Sequence, residues 1–395
     1  MEDVPVINAT ARAPTAVWVW ITVGILLRLA LASISIGTND ATTFYRFTTE
    51  IHRSGLLRTY SVDPDFNHPP LPALWALLAR KIAGGGVHLF SFIFKLAPIG
   101  ADAISIYLIW KIWKSSAVCG AAVVAAAGFA LSLASVLVTG FHCNTDPCYA
   151  MLCLLSVYLM ERHRRFCWAG LALAAAINVK LIPVLLIPPL LLSCRNGRDA
   201  WRFLLGLSVG VIPFIPAIYV NRLGFTQNVL NYGSVIDRWG IPFFLMGWRN
   251  RSFDPTTPGG ALTLYYSRFG RLLIPVIVLV WAILARRYNR WNRYQISAVT
   301  LAVFLIMSPG FGAQYTAMIG PLLFATAPGW AMAYACSAGV FLAVGYNLFW
   351  NGKFPIYAFY TDQLSVGAGM VGMVAWLVLI GFVIRILSMR APIRA

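Results

Sequence analysis

"VWVWITVGILLRLALASISI", residues 17–36, is the stretch that decides the fold of this chain. It contains one charged side chain, Arg28, and as a helix it is long enough to cross a hydrocarbon core of roughly 30 Å. Similar apolar runs recur along the 395 residues, of which only 11% are charged. This pattern predicts an all-α polytopic membrane protein, because a β-barrel would show short alternating segments instead.

The apolar runs predict one membrane domain over residues 1–395, a transmembrane helix bundle of about 12 helices. Connections rich in Lys and Arg follow several of these runs, and with the C-terminal tail they hold 15 of the 31 basic residues. Cytoplasmic loops of membrane proteins collect such residues, so we predict a multi-pass cell-membrane protein with these connections inside. Two long connections, 37–91 and 221–262, then lie on the outer face. The predicted spans are 16–36, 92–111, 117–138, 147–161, 166–179, 181–194, 201–220, 263–285, 295–308, 314–330, 332–350 and 366–388.

The formal charge of +18 does not indicate a nucleic-acid partner, because basic cytoplasmic loops account for much of it. The seven cysteines include no CxxC pair, so we expect neither a disulfide framework nor a zinc site. Asp102 lies inside a predicted helix. We expect it to be structural and paired with another helix or with Lys95, since an unpaired carboxylate in lipid is costly.

The first outer loop opens with "SIGTNDATTFYR", residues 35–46, which places Asp40 just beyond the first membrane exit. A carboxylate fixed at this boundary could act as a general base toward a sugar hydroxyl. The alternative is an N-cap, with Asn39 or Asp40 starting an interfacial helix over 41–56. The segment 69–86 is short for a span, so it fits an interfacial or re-entrant helix, although a full crossing stays open.

Several cations remain on the predicted outer face, although membrane insertion disfavours positive charge there. Arg58, Lys180 and Arg238 are among them. One interpretation is that they bind an anionic ligand, with phosphate the natural choice. The other is that they anchor the chain at lipid headgroups.

Lys180 is the strongest individual candidate, because it separates two short apolar runs, 166–179 and 181–194. Broken helices at membrane depth are tolerated where they line a cavity, and a cation there is a functional candidate. The structural alternatives are a salt bridge to Asp146 or Asp102, or snorkelling to the interface.

Four stretches in this order resemble the GT-C superfamily of integral-membrane glycosyltransferases. In motif they are similar to the polyprenyl-phosphate-mannose-dependent mannosyltransferases of glycosyltransferase family 87 and its relatives. The stretches are "NHPPLPALW" (67–75), "GFHCNTDPCYAMLCLLSVYLMERHRR" (140–165), "AGLALAAAINVKLIPVLLIPPLLL" (169–192) and "FLIMSPGFGAQYTAMIGPLL" (304–323).

The resemblance implies a hexosyltransferase that takes a sugar, with mannose favoured, from a polyprenyl-phosphate donor. The acceptor hydroxyl would belong to a glycolipid, a glycan or a protein on the outer face of the cell envelope. Asp40 would be the general base of a single displacement that inverts the anomeric centre. Neither a metal nor a cofactor is expected.

The same resemblance, with the charge pattern, assigns the other site residues. Lys180, Arg58 and Arg238 would bind the donor phosphate. For His68 a structural bond to a loop carbonyl stays open, and Tyr315 and Trp239 could instead be interfacial aromatics. The predicted substrate-binding residues are His68, His142, Asn144, Asp146, Gln314, Tyr315 and Trp239.

A transporter or flippase for a lipid-linked or anionic solute is the alternative from another functional class. Such a protein would show internal repeats with charges near mid-membrane in both halves. Neither feature is evident in this sequence, so the enzyme is the favoured hypothesis.

Overall fold

The first apolar run is one continuous helix in the computed structural model, which describes residues 13–116, 118, 120–247, 253–348, 353–358 and 364–389. Short non-α turns follow two of the early helices: a π-helix, Leu137–His142, follows the helix Leu133–Val136, and a 3-10 helix, Ile182–Leu186, follows the helix Phe166–Val179. The first nine helices are α1 (Ala13–Ile34), α2 (Asn39–Ser54), α3 (Leu56–Val62), α4 (Pro70–Ala83), α5 (Val87–Trp113), α6 (Ala121–Ala130), α7 (Leu133–Val136), α8 (Asp146–His163) and α9 (Phe166–Val179).

The second half of the chain is also helical. Two-residue strands, β1 (Gly37–Thr38) and β2 (Tyr357–Ala358), pair in parallel across the molecule. The helices of this half are α10 (Ile187–Leu192), α11 (Gly197–Ser208), α12 (Phe214–Phe225), α13 (Ile241–Met246), α14 (Pro258–Tyr288), α15 (Arg293–Met307), α16 (Tyr315–Met318), α17 (Gly320–Thr326), α18 (Pro328–Gly345) and α19 (Val366–Ser388).

Six helices in the described residues are long and apolar enough to cross a membrane, and a pair bent by 58° at residues 197–230 would make a seventh. The predicted all-α polytopic architecture is confirmed. The predicted count of about 12 is not, because several predicted spans fold as shorter apolar helices of 10–17 residues. Those are Phe166–Val179, Ile182–Leu192, Arg293–Met307 and Tyr315–Thr326.

Helix α14 shows how the bundle meets lipid. Leu272, Val276, Leu279 and Ile283 recur every three or four residues along one face, and each is about half exposed or more. Large exposed apolar stripes of this kind are unfavourable in water and favourable in hydrocarbon. The chain is therefore a multi-pass membrane protein.

A buried ion pair joins α1 to α5 in the interior of the bundle. Arg28 Nε donates to Asp102 Oδ2 at 2.7 Å, and both residues are almost fully buried. The same carboxylate oxygen accepts hydrogen bonds from Ser135 and Thr139. Asp102 is thus paired with another helix, as predicted, whereas Lys95 donates to the backbone and hydroxyl of Ser35.

The first outer loop folds as α2, α3 and α4. Helix α2 corresponds to the predicted interfacial helix over 41–56, and it buries one face made mainly of aromatic and aliphatic side chains. Helix α4 is 14 residues long and is not among the candidate spans. Its exposed side carries Leu74, Leu78 and Ile82, which fits the interfacial interpretation of segment 69–86. In the second loop, residues 248–252 lie outside the described residues.

Three features restrain the turn between α1 and α2. Gly37 adopts φ 109°, and any Cβ there would collide with the carbonyl oxygen of Phe141. Thr38 caps α2 by accepting from the Asp40 amide, and its hydroxyl donates to the His142 carbonyl at 2.9 Å. Pairing of β1 with β2 adds a third restraint. These contacts therefore fix the start of α2, which carries Asp40, relative to residues 141–142 and β2.

Candidate active site

Asp40 lies in the first turn of α2 at the wall of a cavity of about 640 Å³. Its Oδ2 accepts hydrogen bonds from Asn144 Nδ2 at 2.7 Å and from His142 Nε2 at 2.9 Å. The alternative interpretation of Asp40 as the N-cap is wrong, because Thr38 occupies that position. The Asp40 side chain instead lines the cavity and is 29% exposed.

The surroundings of Asp40 favour its ionised form. Burial by itself raises the pKa of the carboxyl group. The charge interaction with His142, the hydrogen bonds from His142 and Asn144, and the more distant His68 together outweigh burial and bring the pKa below 3.8. Asp40 is therefore a carboxylate at neutral pH, ready to accept a proton.

The turn "FHCNTD", residues 141–146, brings three polar side chains to the cavity wall or directly behind it. It begins at the end of the π-helix, where Cys143 adopts a left-handed conformation with φ 71°. His142 and Asn144 both contact Asp40, while the Asn144 side-chain oxygen accepts from the Asp146 amide at 3.0 Å. Of the three, Asn144 lines the cavity and the other two lie behind its wall.

Lys180 joins the same wall at the end of α9. Its Nζ lies 2.6 Å from Asp146 Oδ1, and 4.3 Å from the centre of the Tyr315 ring. The salt bridge to Asp146, one of the predicted alternatives, is therefore present, and snorkelling is not observed. Lys180 still lines the cavity, with 16% of its side chain exposed.

His68 approaches the cavity from the first loop. Its ring stacks on Phe44 at 4.7 Å, and within the described residues its nitrogens form no hydrogen bond to a loop carbonyl. Burial, with a smaller contribution from the charge of Lys180, lowers the pKa of His68 to about 4 against the opposing effect of Asp40. The ring is therefore neutral at physiological pH, able to donate or accept a hydrogen bond.

Two more predicted residues belong to the cavity lining. Gln314 and Tyr315 both line the cavity at the start of α16. Tyr315 is only 4% exposed, and its hydroxyl is hydrogen-bonded to Ser234, so it is not an interfacial anchor.

Besides His142 and Asp146, three further predicted residues do not line the cavity. Arg58 points outward from α3. Arg238 is buried, and its Nε donates to the Leu364 carbonyl at 3.0 Å. Trp239 is fully buried against Phe311, with ring centroids 4.3 Å apart, so it offers no free face to a sugar or to lipid. None of the three is carried forward as a site residue.

Arg271 was not selected as a site residue from the sequence, although it lines the cavity from α14. Its guanidinium group lies so close to Gly233 that a Cβ there would collide with it. Among the described residues no carboxylate pairs with it. The available signal was its position inside the predicted span 263–285, since a cation within a span is a functional candidate.

The cavity lining combines polar and apolar side chains. Polar groups include Asn67 and Ser234, and α14 contributes Ser267 and Arg271. Apolar groups include Val184 and Leu185 of the 3-10 helix and Ile274 of α14. No group of three His, Cys, Asp or Glu side chains in the described part of the chain is arranged to hold a metal ion.

Comparison with known proteins gives one family match. Residues 66–309 match the model of Glycosyltransferase family 87, which is more than half of the chain. No curated protein matches the chain.

Solved structures that are similar to it include the crystal structures of ArnT from Cupriavidus metallidurans bound to undecaprenyl phosphate and in the apo state. Sequence identity is 17% and 16%, and the TM-score is 0.49 for each. The alignments cover 94% and 95% of this chain, and 76% and 77% of those chains.

Proposed function

Because this chain belongs to glycosyltransferase family 87 and is a GT-C membrane glycosyltransferase, we propose that it transfers a hexose from a polyprenyl-phosphate donor. Mannose is the first candidate for the sugar. The acceptor is a hydroxyl of a glycolipid, a glycan or a protein at the outer membrane face. The observation that carries this proposal is an ionised carboxylate, Asp40, in the wall of a cavity whose lining also includes two cations and several apolar side chains.

The proposed step is one displacement at the anomeric carbon. The acceptor oxygen forms a bond to that carbon while Asp40 takes the hydroxyl proton. The bond from the anomeric carbon to the phosphate oxygen breaks, and its electron pair leaves with polyprenyl phosphate. Phosphate is a weak base, so the leaving group needs no proton, and one displacement inverts the anomeric centre. The proton on Asp40 then passes to water.

Cations must stabilise the phosphate charge that develops in this step. Arg271 is the first candidate, because it lines the cavity and carries an uncompensated charge. Lys180 is the second, since its contact with Asp146 at 2.6 Å neutralises part of its charge. A guanidinium group also matches phosphate geometry with two parallel hydrogen bonds.

The other lining residues suit two parts of the donor, its sugar and its lipid. His68, Asn144, Gln314 and Tyr315 present amide, imidazole and hydroxyl groups that suit sugar hydroxyls. The apolar lining residues, which include Ile274 of α14, suit the first isoprene units of the donor, because this helix faces lipid on its outer side.

A transfer assay tests the function. Purified protein in vesicles is given radiolabelled polyprenyl-phosphate mannose and a membrane extract as the source of acceptor. We expect label in a new glycosylated product. Label that crosses the bilayer while it remains on the donor would identify a flippase and overturn the proposal.

Accessibility labelling tests the outer-face assignment. In a background without native cysteines, Arg53→Cys in α2 and His163→Cys at the end of α8 place exposed thiols on opposite predicted faces. An impermeant maleimide added to intact cells should label only position 53. Labelling of both positions would contradict the orientation drawn from the basic loops.

A further inference from the structure

The hydrogen bonds of Asp40 fall on one oxygen only. Asn144 and His142 both donate to Oδ2, and among the described residues no hydrogen bond reaches Oδ1. The carboxylate is therefore asymmetric: one oxygen is held by the protein, and the other is left to the cavity.

His142 belongs to a longer chain of contacts behind the cavity wall. Its Nε2 lies 2.9 Å from Asp40 Oδ2, and its Nδ1 lies 2.5 Å from the hydroxyl of Tyr346. His142 is 1% exposed and Tyr346 is fully buried. Neither residue lines the cavity, whereas Asp40 does, so we place both behind Asp40, with His142 in contact with its carboxylate.

The protonation pattern of this chain follows from the acceptor. An ionised carboxylate only accepts hydrogen bonds, so Nε2 of His142 carries a proton. In the neutral ring Nδ1 accepts from the Tyr346 hydroxyl, and in the charged ring it donates to the same oxygen. A tyrosine hydroxyl satisfies both states, so the ring orientation is kept whichever state is present.

We infer that His142 and Tyr346 are positioning residues that hold Asp40 through Oδ2 and reserve Oδ1 for the acceptor hydroxyl. This inference rests on the proposed function. In the transfer step the proton moves from the acceptor to Oδ1, and Oδ2 keeps its two hydrogen bonds as the carboxyl group becomes neutral. No proton has to travel through His142.

Three variants of the full-length protein in vesicles test the inference. Tyr346→Phe removes one hydroxyl, His142→Leu removes the donor to Oδ2, and His142→Gln keeps an amide donor at similar reach. We expect kcat to fall roughly fivefold to tenfold in Tyr346→Phe, the scale of one buried hydrogen bond. We expect a loss of roughly 100-fold in His142→Leu, the scale of a misplaced catalytic group, with partial recovery in His142→Gln. The KM for the donor should stay unchanged in all three.

The pH profile separates positioning from mere structural support. The groups that surround Asp40 are His142, Cys143, His68, the Lys180–Asp146 pair and the tyrosines 232, 315 and 346. Of these, His142 contributes most to lowering the pKa of Asp40, so its removal lets burial dominate. The acid limb of kcat/KM should therefore move to higher pH in His142→Leu and move less in His142→Gln.

Tyr294→Phe is the matched control, because Tyr294 is an equally buried tyrosine in the first turn of α15 and does not line the cavity. It should leave kcat and the acid limb unchanged. A wild-type kcat and acid limb in Tyr346→Phe and His142→Leu would overturn the inference. If His142→Leu fails to fold, Tyr346→Phe decides, since it removes a single oxygen atom. Full turnover in Asp40→Asn would instead sink the proposed function.

Discussion

Two aspartates, the buried Asp102 and the partly buried Asp40, show how the same side chain serves two purposes in this bundle. Asp102 Oδ2 accepts from Arg28, Ser135 and Thr139 within the helix interior. Asp40 Oδ2 is also held by neighbours, but this residue stands at a cavity and its other oxygen is open. Burial alone therefore does not identify a functional carboxylate; the contacts of each oxygen do.

The arginines of the two regions differ in the same way as the aspartates. The guanidinium group of Arg28 donates hydrogen bonds to Asp102 and to the carbonyls of Gly24 and Ala130, so its N–H groups are used within the protein. Arg271, in contrast, lines the cavity and has no carboxylate partner among the described residues. Arg28 therefore neutralises a buried carboxylate, whereas Arg271 is placed to bind an anion.

The largest expected effect concerns the structural pair. Arg28→Met leaves the Asp102 carboxylate buried without its counter-charge, which should destabilise the protein by about 3–5 kcal/mol. The double variant Arg28→Met with Asp102→Asn should recover much of this loss, because the uncompensated charge is gone. Thermal unfolding of the purified protein in detergent measures both. A wild-type melting temperature in the single variant would contradict the structural assignment.

The next effect concerns donor binding. Arg271→Met should weaken the affinity for a polyprenyl-phosphate donor by about 1.5–3 kcal/mol, the scale of a charge-assisted hydrogen bond. Arg268→Met is the matched control, because Arg268 is an exposed arginine one turn earlier on α14 that does not line the cavity. Binding of a labelled donor to each variant checks this. Equal losses in both variants would indicate general headgroup attraction rather than a phosphate site.

The smallest expected effect concerns pH. The pKa of Asp40 is held below 3.8, so its charge persists as the pH falls from 7 to 5. A lowered carboxyl pKa gives stability that is present above the unfolded value and is lost only as pH falls through the folded value. Neither kcat/KM nor the melting temperature should therefore drop over this range because of Asp40. An acid limb near pH 5 or above that disappears in Asp40→Asn would show that burial prevails instead.

Much of the fold could be predicted from the sequence, because twenty-residue apolar runs and basic loops have direct physical consequences in a membrane. The interfacial helix at α2 and the helical partner of Asp102 follow from the same reasoning. The helix count could not be predicted. The Pro-rich segment after Lys180 folds as a 3-10 helix and the short α10, and hydropathy does not distinguish such a break from a span.

The site was only partly accessible from sequence. Asp40, Asn144, Lys180, Gln314 and Tyr315 come from segments far apart in the chain. The motif stretches contain the last four, and Asp40 lies in the quoted start of the first loop, residues 35–46. Arg271 and Tyr346 lie outside all of these stretches, and only tertiary packing brings them near the others. Trp239 shows the opposite error, because an aromatic beside charged residues in a predicted outer loop is in fact packed in the core.

The central claim is that Asp40 is the base of sugar transfer, and turnover of Asp40→Asn beside Asp102→Asn tests it most directly. Asparagine keeps the size of Asp40 and removes its basicity. Measured per folded molecule with labelled polyprenyl-phosphate mannose, Asp40→Asn should lose at least ~100-fold in kcat, the usual contribution of a general base. Asp102→Asn should keep most of its turnover and lose stability instead. Near-normal turnover of a well-folded Asp40→Asn protein would contradict the account.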